Sequence, residues 1–142
     1  MTPYTEVLLI LHFLGLAMGL SVSFANMVMG GLIARAEPSE RAILGRFPSA
    51  MSRVGKAGIA TLWLTGILLF LHRGTSFGAM PWQFHAKLTA VVLLTVLVIY
   101  IHTLEGRAKR GDTAAGARIP TVGKGALLLA VTAVIFAVLT FR

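Results

Sequence analysis

The sequence predicts an all-α fold, a four-helix transmembrane bundle with up-down topology that forms one domain over residues 1–142. Of the 142 residues, 56% are hydrophobic and only 13% are charged, whereas about a quarter of residues are charged in a soluble domain. Four apolar runs are each about as long as the roughly 20 helical residues that cross a bilayer core. These runs lack the alternation typical of barrel strands, so we expect helices.

The four predicted spans cover about 6–34, 53–72, 82–104 and 122–141. No Lys or Arg precedes the first run, so we interpret it as a retained helix rather than a cleavable signal peptide. In the connection between the first two spans, Pro38 predicts the start of a short surface helix, which Pro48 would interrupt. The Gly-, Ala- and Thr-rich connection over 107–120 predicts a flexible loop.

Basic residues are concentrated in two of the connections. The connection after the first span and the start of the second carry Arg35, Arg41, Arg46, Arg53 and Lys56. The connection after the third span and the start of the fourth carry Arg107, Lys109, Arg110, Arg118 and Lys124. The middle connection has only Arg73, so the positive-inside rule predicts cytoplasmic basic loops and both termini on the outer, periplasmic side of a bacterial inner membrane.

The net charge of +8 is accounted for by these loops. A nucleic-acid partner would require a basic face with stacking aromatic residues on a folded domain, and the sequence predicts no such domain. The expected partner of this surface is the lipid bilayer, whose anionic headgroups attract Lys and Arg next to a membrane span.

Small and polar residues recur at intervals of three and four along the first span and therefore lie on one helix face. They are His12, Gly15, Gly19, Ser23, Asn26 and Gly30. Small residues at this spacing allow a second helix to approach closely. The stripe therefore predicts a packing seam, in which Asn26 would hydrogen-bond to another helix.

The histidines separate by depth. His12, His72 and His85 lie near the outer ends of their predicted spans, with Lys87 two residues after His85. His102 lies near the cytoplasmic end, about 25 Å from His85 at 1.5 Å of helix rise per residue. An outer cluster and a separate inner histidine are therefore predicted, and the two cannot share one ion.

The outer cluster suits several chemistries. Two neutral imidazoles from different helices suit the axial positions of haem iron, with Lys87 or Arg73 to pair a propionate. His12, His72 and His85 together would suit copper or zinc, and the same imidazoles could relay protons. A purely structural interpretation also stands, in which the histidines reach lipid headgroups and Lys87 extends to the interface. The chain contains no cysteine, so covalent c-type haem attachment is excluded.

Three short segments resemble one family of small membrane proteins. Residues 85–88, His-Ala-Lys-Leu, followed by an aliphatic run to His102, resemble the third-helix signature of HemJ-type protoporphyrinogen IX oxidases. Residues 11–12, Leu-His, and residues 51–54, Met-Ser-Arg-Val, resemble that family's first helix and second-helix entrance. The resemblance implies a four-helix inner-membrane protein that binds haem b through His12 and His85, with Lys87 as a propionate or substrate partner. The implied activity is oxidation of a porphyrin precursor, or electron transfer to a quinone or a respiratory partner.

Two other functions stay open. The first-helix histidine followed by a glycine resembles the same feature of CopD-like four-helix membrane proteins. This resemblance implies a copper or other metal site at His12, His72 and His85. Alternatively, the glycine stripe would dock a non-catalytic accessory subunit into a larger membrane complex or a homo-oligomer.

Overall fold

The computed structural model describes residues 2–140, which are helical almost throughout and include no strand. The long helices are α1 (Pro3–Arg35), α3 (Arg46–Arg73), α4 (Trp82–Lys109) and α5 (Thr113–Thr140). A short helix, α2 (Pro38–Leu44), precedes α3, and a 3₁₀ turn covers Phe77–Ala79. The predicted all-α class is confirmed.

Four segments are long and apolar enough to cross a membrane: Pro3–Arg35, Pro38–Arg73, Trp82–Lys109 and Thr113–Thr140. Few of their large apolar side chains are buried, and many are exposed, including Phe13, Leu64 and Leu128. An aqueous surface would disfavour so much exposed apolar area, whereas a bilayer accepts it. The pattern is that of an integral membrane protein.

The chain forms two compact units, one ending at Ala79 and the next beginning at Met80. In the first unit, α1 and α3 pack as an antiparallel hairpin, since contacts that advance along α1 retreat along α3. The contacting pairs are Tyr4 with His72, His12 with Thr65, Met18 with Gly58, and Val22 with Gly55.

Glycines form the closest approach of α1 and α3. A Cβ atom on Gly15 would lie 3.0 Å from the Gly58 carbonyl oxygen, and a Cβ on Gly58 would lie 3.0 Å from the Gly15 carbonyl oxygen. The absence of both side chains therefore lets the two backbones meet. The predicted seam is confirmed at Gly15, whereas a Cβ on Gly19 or Gly30 would meet no atom within 4 Å among the described residues. The hydrogen bond predicted from Asn26 to another helix is not formed by its buried Oδ1 atom, which has no partner among the described residues.

The short helix α2 begins at the predicted position. Pro38 occupies its first turn, and the Glu37 amide donates to the Glu40 carboxylate at 3.4 Å. The prediction that Pro48 interrupts the helix is wrong, because the break falls at Gly45 and α3 begins at Arg46. Pro48 lies in the first turn of α3, where its missing N–H has no helical partner to lose.

In the second unit, α4 and α5 form another antiparallel hairpin. The Trp82 and Phe136 rings lie 5.7 Å apart at one end, and Gly116 faces Ala108 at the other. The buried side chains of α5 are all alanines, and Ala126, Ala130 and Ala133 lie on one face of the helix. Helix α4 buries Ala90 and Leu104. Alanines at this spacing bring α4 and α5 close together.

The turn between α4 and α5 is short and specific, so the flexible loop predicted over 107–120 is wrong. Gly111 adopts a positive φ of 97°, and the Asp112 carboxylate accepts the Ala115 amide at 3.0 Å at the start of α5. Arg107 donates to the same carboxylate at 2.8 Å. The cap and the alanine-rich sequence that follows it outweigh Pro120, which lies inside α5.

Candidate functional site

His12 is the predicted site residue with the most specific surroundings. Its Nδ1 atom lies 2.8 Å from the Thr65 hydroxyl, joining α1 to α3 through side chains. His12 is half-buried, and Thr65 is only 2% exposed. An imidazole within an apolar helix is thus held by a polar group from the paired helix.

The Thr65 hydroxyl determines the direction of this hydrogen bond. It lies 2.6 Å from the Thr61 carbonyl oxygen one turn earlier, a distance at which the hydroxyl donates its single proton. The Thr65 oxygen must then accept from His12, so His12 carries its proton on Nδ1. In a neutral imidazole, Nε2 is consequently the lone-pair nitrogen, the atom that can ligate a metal.

Gly66 makes room for the ring. A Cβ atom at this position would lie 3.4 Å from His12 Cε1, at the near limit of ordinary van der Waals contact. The sequence Thr65-Gly66 therefore supplies both the acceptor for Nδ1 and the space beside the ring. We name this arrangement the His12 socket, formed by His12, Thr65 and Gly66.

Thr65 and Gly66 are the residues that sequence reasoning missed. Their signal is weak, because threonines in these helices commonly donate to the carbonyl four residues earlier, as Thr61, Thr132 and Thr140 do. The available signal is depth: an antiparallel pairing of the first two spans places Thr65 and His12 at similar levels.

His72, the second predicted metal ligand, has a different neighbour. Its ring lies 5.2 Å from the Tyr4 ring, at the end of the hairpin where α1 begins and α3 ends. It follows Thr65 by seven residues, or about 10 Å along α3. Within the first unit, the structure therefore pairs His72 with Tyr4 and His12 with Thr65.

His85 and Lys87 lie in the first turns of α4 in the second unit, and both are half-buried. The His85 ring is edge-on to Phe84, with centroids 5.9 Å apart, and its carbonyl accepts from Thr89. Residues two apart on a helix project about 200° apart. Lys87 therefore leaves α4 on a different face from His85. To pair with a group bound at His85, the Lys87 side chain would have to extend around the helix.

His102 is bound by a carboxylate of its own helix. Its Nδ1 lies 3.2 Å from Glu105 Oε2, and the two side chains are 23% and 21% exposed. A carboxylate on Nδ1 orients an imidazole and selects its tautomer. The pair lies near the end of α4 that precedes the Arg107–Asp112 turn.

Across residues 2–140, no group of three or more His, Asp, Glu or Cys side chains has the proximity of a metal site. No protein-family model, curated protein or solved structure matches the chain. The His12 socket is accordingly the best-defined polar arrangement on which a function can be argued.

Proposed function

We propose that this protein is a haem-b-binding redox protein of a membrane, similar in type to the HemJ-type oxidases. The observation that supports the proposal most strongly is the hydrogen bond from His12 Nδ1 to Thr65. In a neutral imidazole this hydrogen bond leaves Nε2 as the nitrogen that would ligate a metal, and the ring is half-buried on an apolar helix. Histidines that ligate metals in proteins almost always donate their other ring nitrogen to a neighbouring acceptor in this way.

The residues fit a non-covalently held haem. His12 would be one residue that holds the haem iron, and the resemblance of residues 85–88 implies His85 as the other. Lys87, or Arg73 at the end of α3, would pair the propionates. A bound haem supplies one-electron redox chemistry whose potential depends on its axial ligands and their hydrogen bonds. The contribution of the protein is to orient His12 and to surround the site with apolar side chains.

The proposed substrate class is a porphyrin precursor, with electrons passing to a quinone or a respiratory partner. A porphyrin precursor and a quinone are largely apolar ring systems that would enter from the lipid, which suits helices with exposed apolar side chains. Assignment of the substrate rests on the family resemblance of residues 85–88 and 11–12.

We further propose that the four helices assemble as an up-down bundle in a bacterial inner membrane, with basic loops in the cytoplasm and both termini outside. The chain has no cysteine, so single-cysteine variants can be labelled without background. A membrane-impermeant maleimide applied to intact spheroplasts should label a cysteine at Thr75 and should not label one at Ser39. The reverse labelling pattern would show that the topology is the opposite of the one proposed.

The absorption spectrum of the purified protein, expressed with adequate haem supply, tests the proposed function. We expect a Soret band that is lost or shifted in His12→Ala and in His85→Ala. His72→Ala is the matched control and should keep the wild-type spectrum. Added imidazole should restore the band in His12→Gly, since it can replace the missing side chain.

Other outcomes point to the alternative functions. Stoichiometric copper without haem, lost in His72→Ala as well as in His12→Ala, would favour a CopD-like metal protein. Absence of both haem and metal, with co-purification of a larger membrane complex, would favour an accessory subunit. Either result would overturn the haem proposal.

A further inference from the structure

We infer that Thr65 is a positioning residue, which holds the His12 imidazole in its Nδ1–H form and thereby directs Nε2 to a haem iron. Its role toward haem rests on the proposed function, whereas its control of the imidazole proton stands on the hydrogen bonds alone. Thr65 would act through His12 and would not touch the haem itself.

The first step of the argument is the chain of hydrogen bonds. His12 Nδ1 and the Thr65 hydroxyl are 2.8 Å apart, and the hydroxyl and the Thr61 carbonyl oxygen are 2.6 Å apart. The carbonyl can only accept, so it fixes the hydroxyl as its donor and as the acceptor for His12. The protonated nitrogen of His12 is thus determined by the backbone of α3.

The second step is burial. Thr65 is 2% exposed, so water does not compete for its hydroxyl. A buried N–H without an acceptor is strongly disfavoured, and removal of the hydroxyl should push the proton of His12 to Nε2. In that form the nitrogen that must bind iron is occupied by hydrogen.

The third step is the space beside the ring. Gly66 leaves His12 Cε1 in contact distance of α3 without a clash. The hydrogen bond to Thr65 therefore orients the ring, and Gly66 allows it to lie close to α3 with no side chain between them. Partners of this kind orient metal ligands, and their loss typically weakens metal affinity about 10–100-fold.

Histidine ¹⁵N NMR of the haem-free protein at mildly alkaline pH tests the inference directly. Loss of a signal in His12→Gln identifies His12. In the wild type we expect a pyrrole-type Nδ1 and a pyridine-type Nε2, the reverse of the tautomer that histidine favours in water. A wild-type His12 protonated on Nε2 would overturn the inference, and this measurement needs no variant that might misfold.

Thr65→Val keeps the shape of the side chain and removes the hydroxyl. It should shift His12 toward the Nε2–H form, whereas Thr65→Ser should retain the wild-type tautomer. Thr61→Val is the matched control, because the Thr61 hydroxyl donates only to the Ala57 carbonyl within α3. An unchanged His12 tautomer in Thr65→Val would refute the role of Thr65.

Haem titration then separates the two proposals. Thr65→Val should weaken haem binding about 10–100-fold and raise the reduction potential, because a hydrogen-bonded imidazole is the stronger donor to ferric iron. Thr65→Ser and Thr61→Val should behave as the wild type. If the wild type binds no haem, the proposed function fails while the tautomer result stands. If haem binds equally to Thr65→Val and wild type, the positioning role fails instead.

Discussion

Substitution of Gly58 by alanine should open the closest approach of α1 and α3. The new Cβ would lie 3.0 Å from the Gly15 carbonyl oxygen, 3.1 Å from Met18 Cβ and 3.2 Å from the Gly19 amide nitrogen. Two of these three atoms belong to the α1 backbone, which cannot rotate away as a side chain can. The helices must therefore separate by a few tenths of an ångström.

Overpacking of this kind typically costs about 1–3 kcal/mol. Alanine also favours helix over glycine by about 1 kcal/mol, and this gain would mask part of the loss. Gly30→Ala supplies the matched control, because a Cβ at Gly30 meets no described atom within 4 Å and the same propensity gain applies. Gly58→Ala should consequently be about 1–3 kcal/mol less stable than Gly30→Ala.

Reversible unfolding by SDS in mixed micelles measures this difference, with the fluorescence of Trp63 and Trp82 as the signal. Gly15→Ala should match Gly58→Ala, because its Cβ would meet the Gly58 carbonyl oxygen at 3.0 Å and the Leu62 amide nitrogen at 3.2 Å. Equal stability of Gly58→Ala and Gly30→Ala would refute the close backbone contact.

Two further predictions concern the second unit. The Ala115 amide and the Arg107 side chain hold the pKa of Asp112 below its ordinary value, so this carboxylate stabilises the α4–α5 turn at pH values above its ordinary pKa and stops doing so as the pH falls through the lowered pKa. In NMR the chemical shift of the Ala115 amide should change with a midpoint at that lowered pKa, and Asp112→Asn should show no such transition. A midpoint at or above the ordinary pKa would contradict the geometry. Phe136→Leu should lower the free energy of unfolding by about 0.5–1.5 kcal/mol more than the loss of buried apolar area alone, because it removes the edge-to-face contact with Trp82. The same SDS titration should show a smaller loss for Phe24→Leu, whose ring is about half exposed.

The sequence predicts the helices well because hydrophobic length dominates them. Four apolar runs of about 20 residues leave few alternatives to membrane-spanning helices, and Pro38 marks the start of α2 by a local rule. The connections are harder to predict. In the sequence, Pro48 and Pro120 each predict a helix break. Pro48 instead lies in the first turn of α3, and Pro120 lies inside α5, where the Asp112 cap and the nearby alanines stabilise the helix despite it.

The candidate site is predicted only in part. His12 can be selected from the sequence, because an ionisable side chain within an apolar span is costly and requires an explanation. Thr65 cannot, since its hydroxyl makes the same intrahelical hydrogen bond as Thr61 and Thr132 do. What distinguishes Thr65 is the residue opposite it on α1, and that depends on the register of the hairpin rather than on local sequence.

The glycine seam and the His12 socket are consequences of the same register. Gly15 follows His12 by three residues, and Gly58 precedes Thr65 by seven, so the backbone contact and the side-chain hydrogen bond lie on the same helix faces within two turns. A hydroxyl is short, and it reaches an imidazole on another helix only where the two backbones are close. The glycines that look like packing residues in the sequence therefore also determine whether Thr65 can orient His12. The stability of the hairpin and the chemistry of its histidine are expected to be coupled through the distance between α1 and α3.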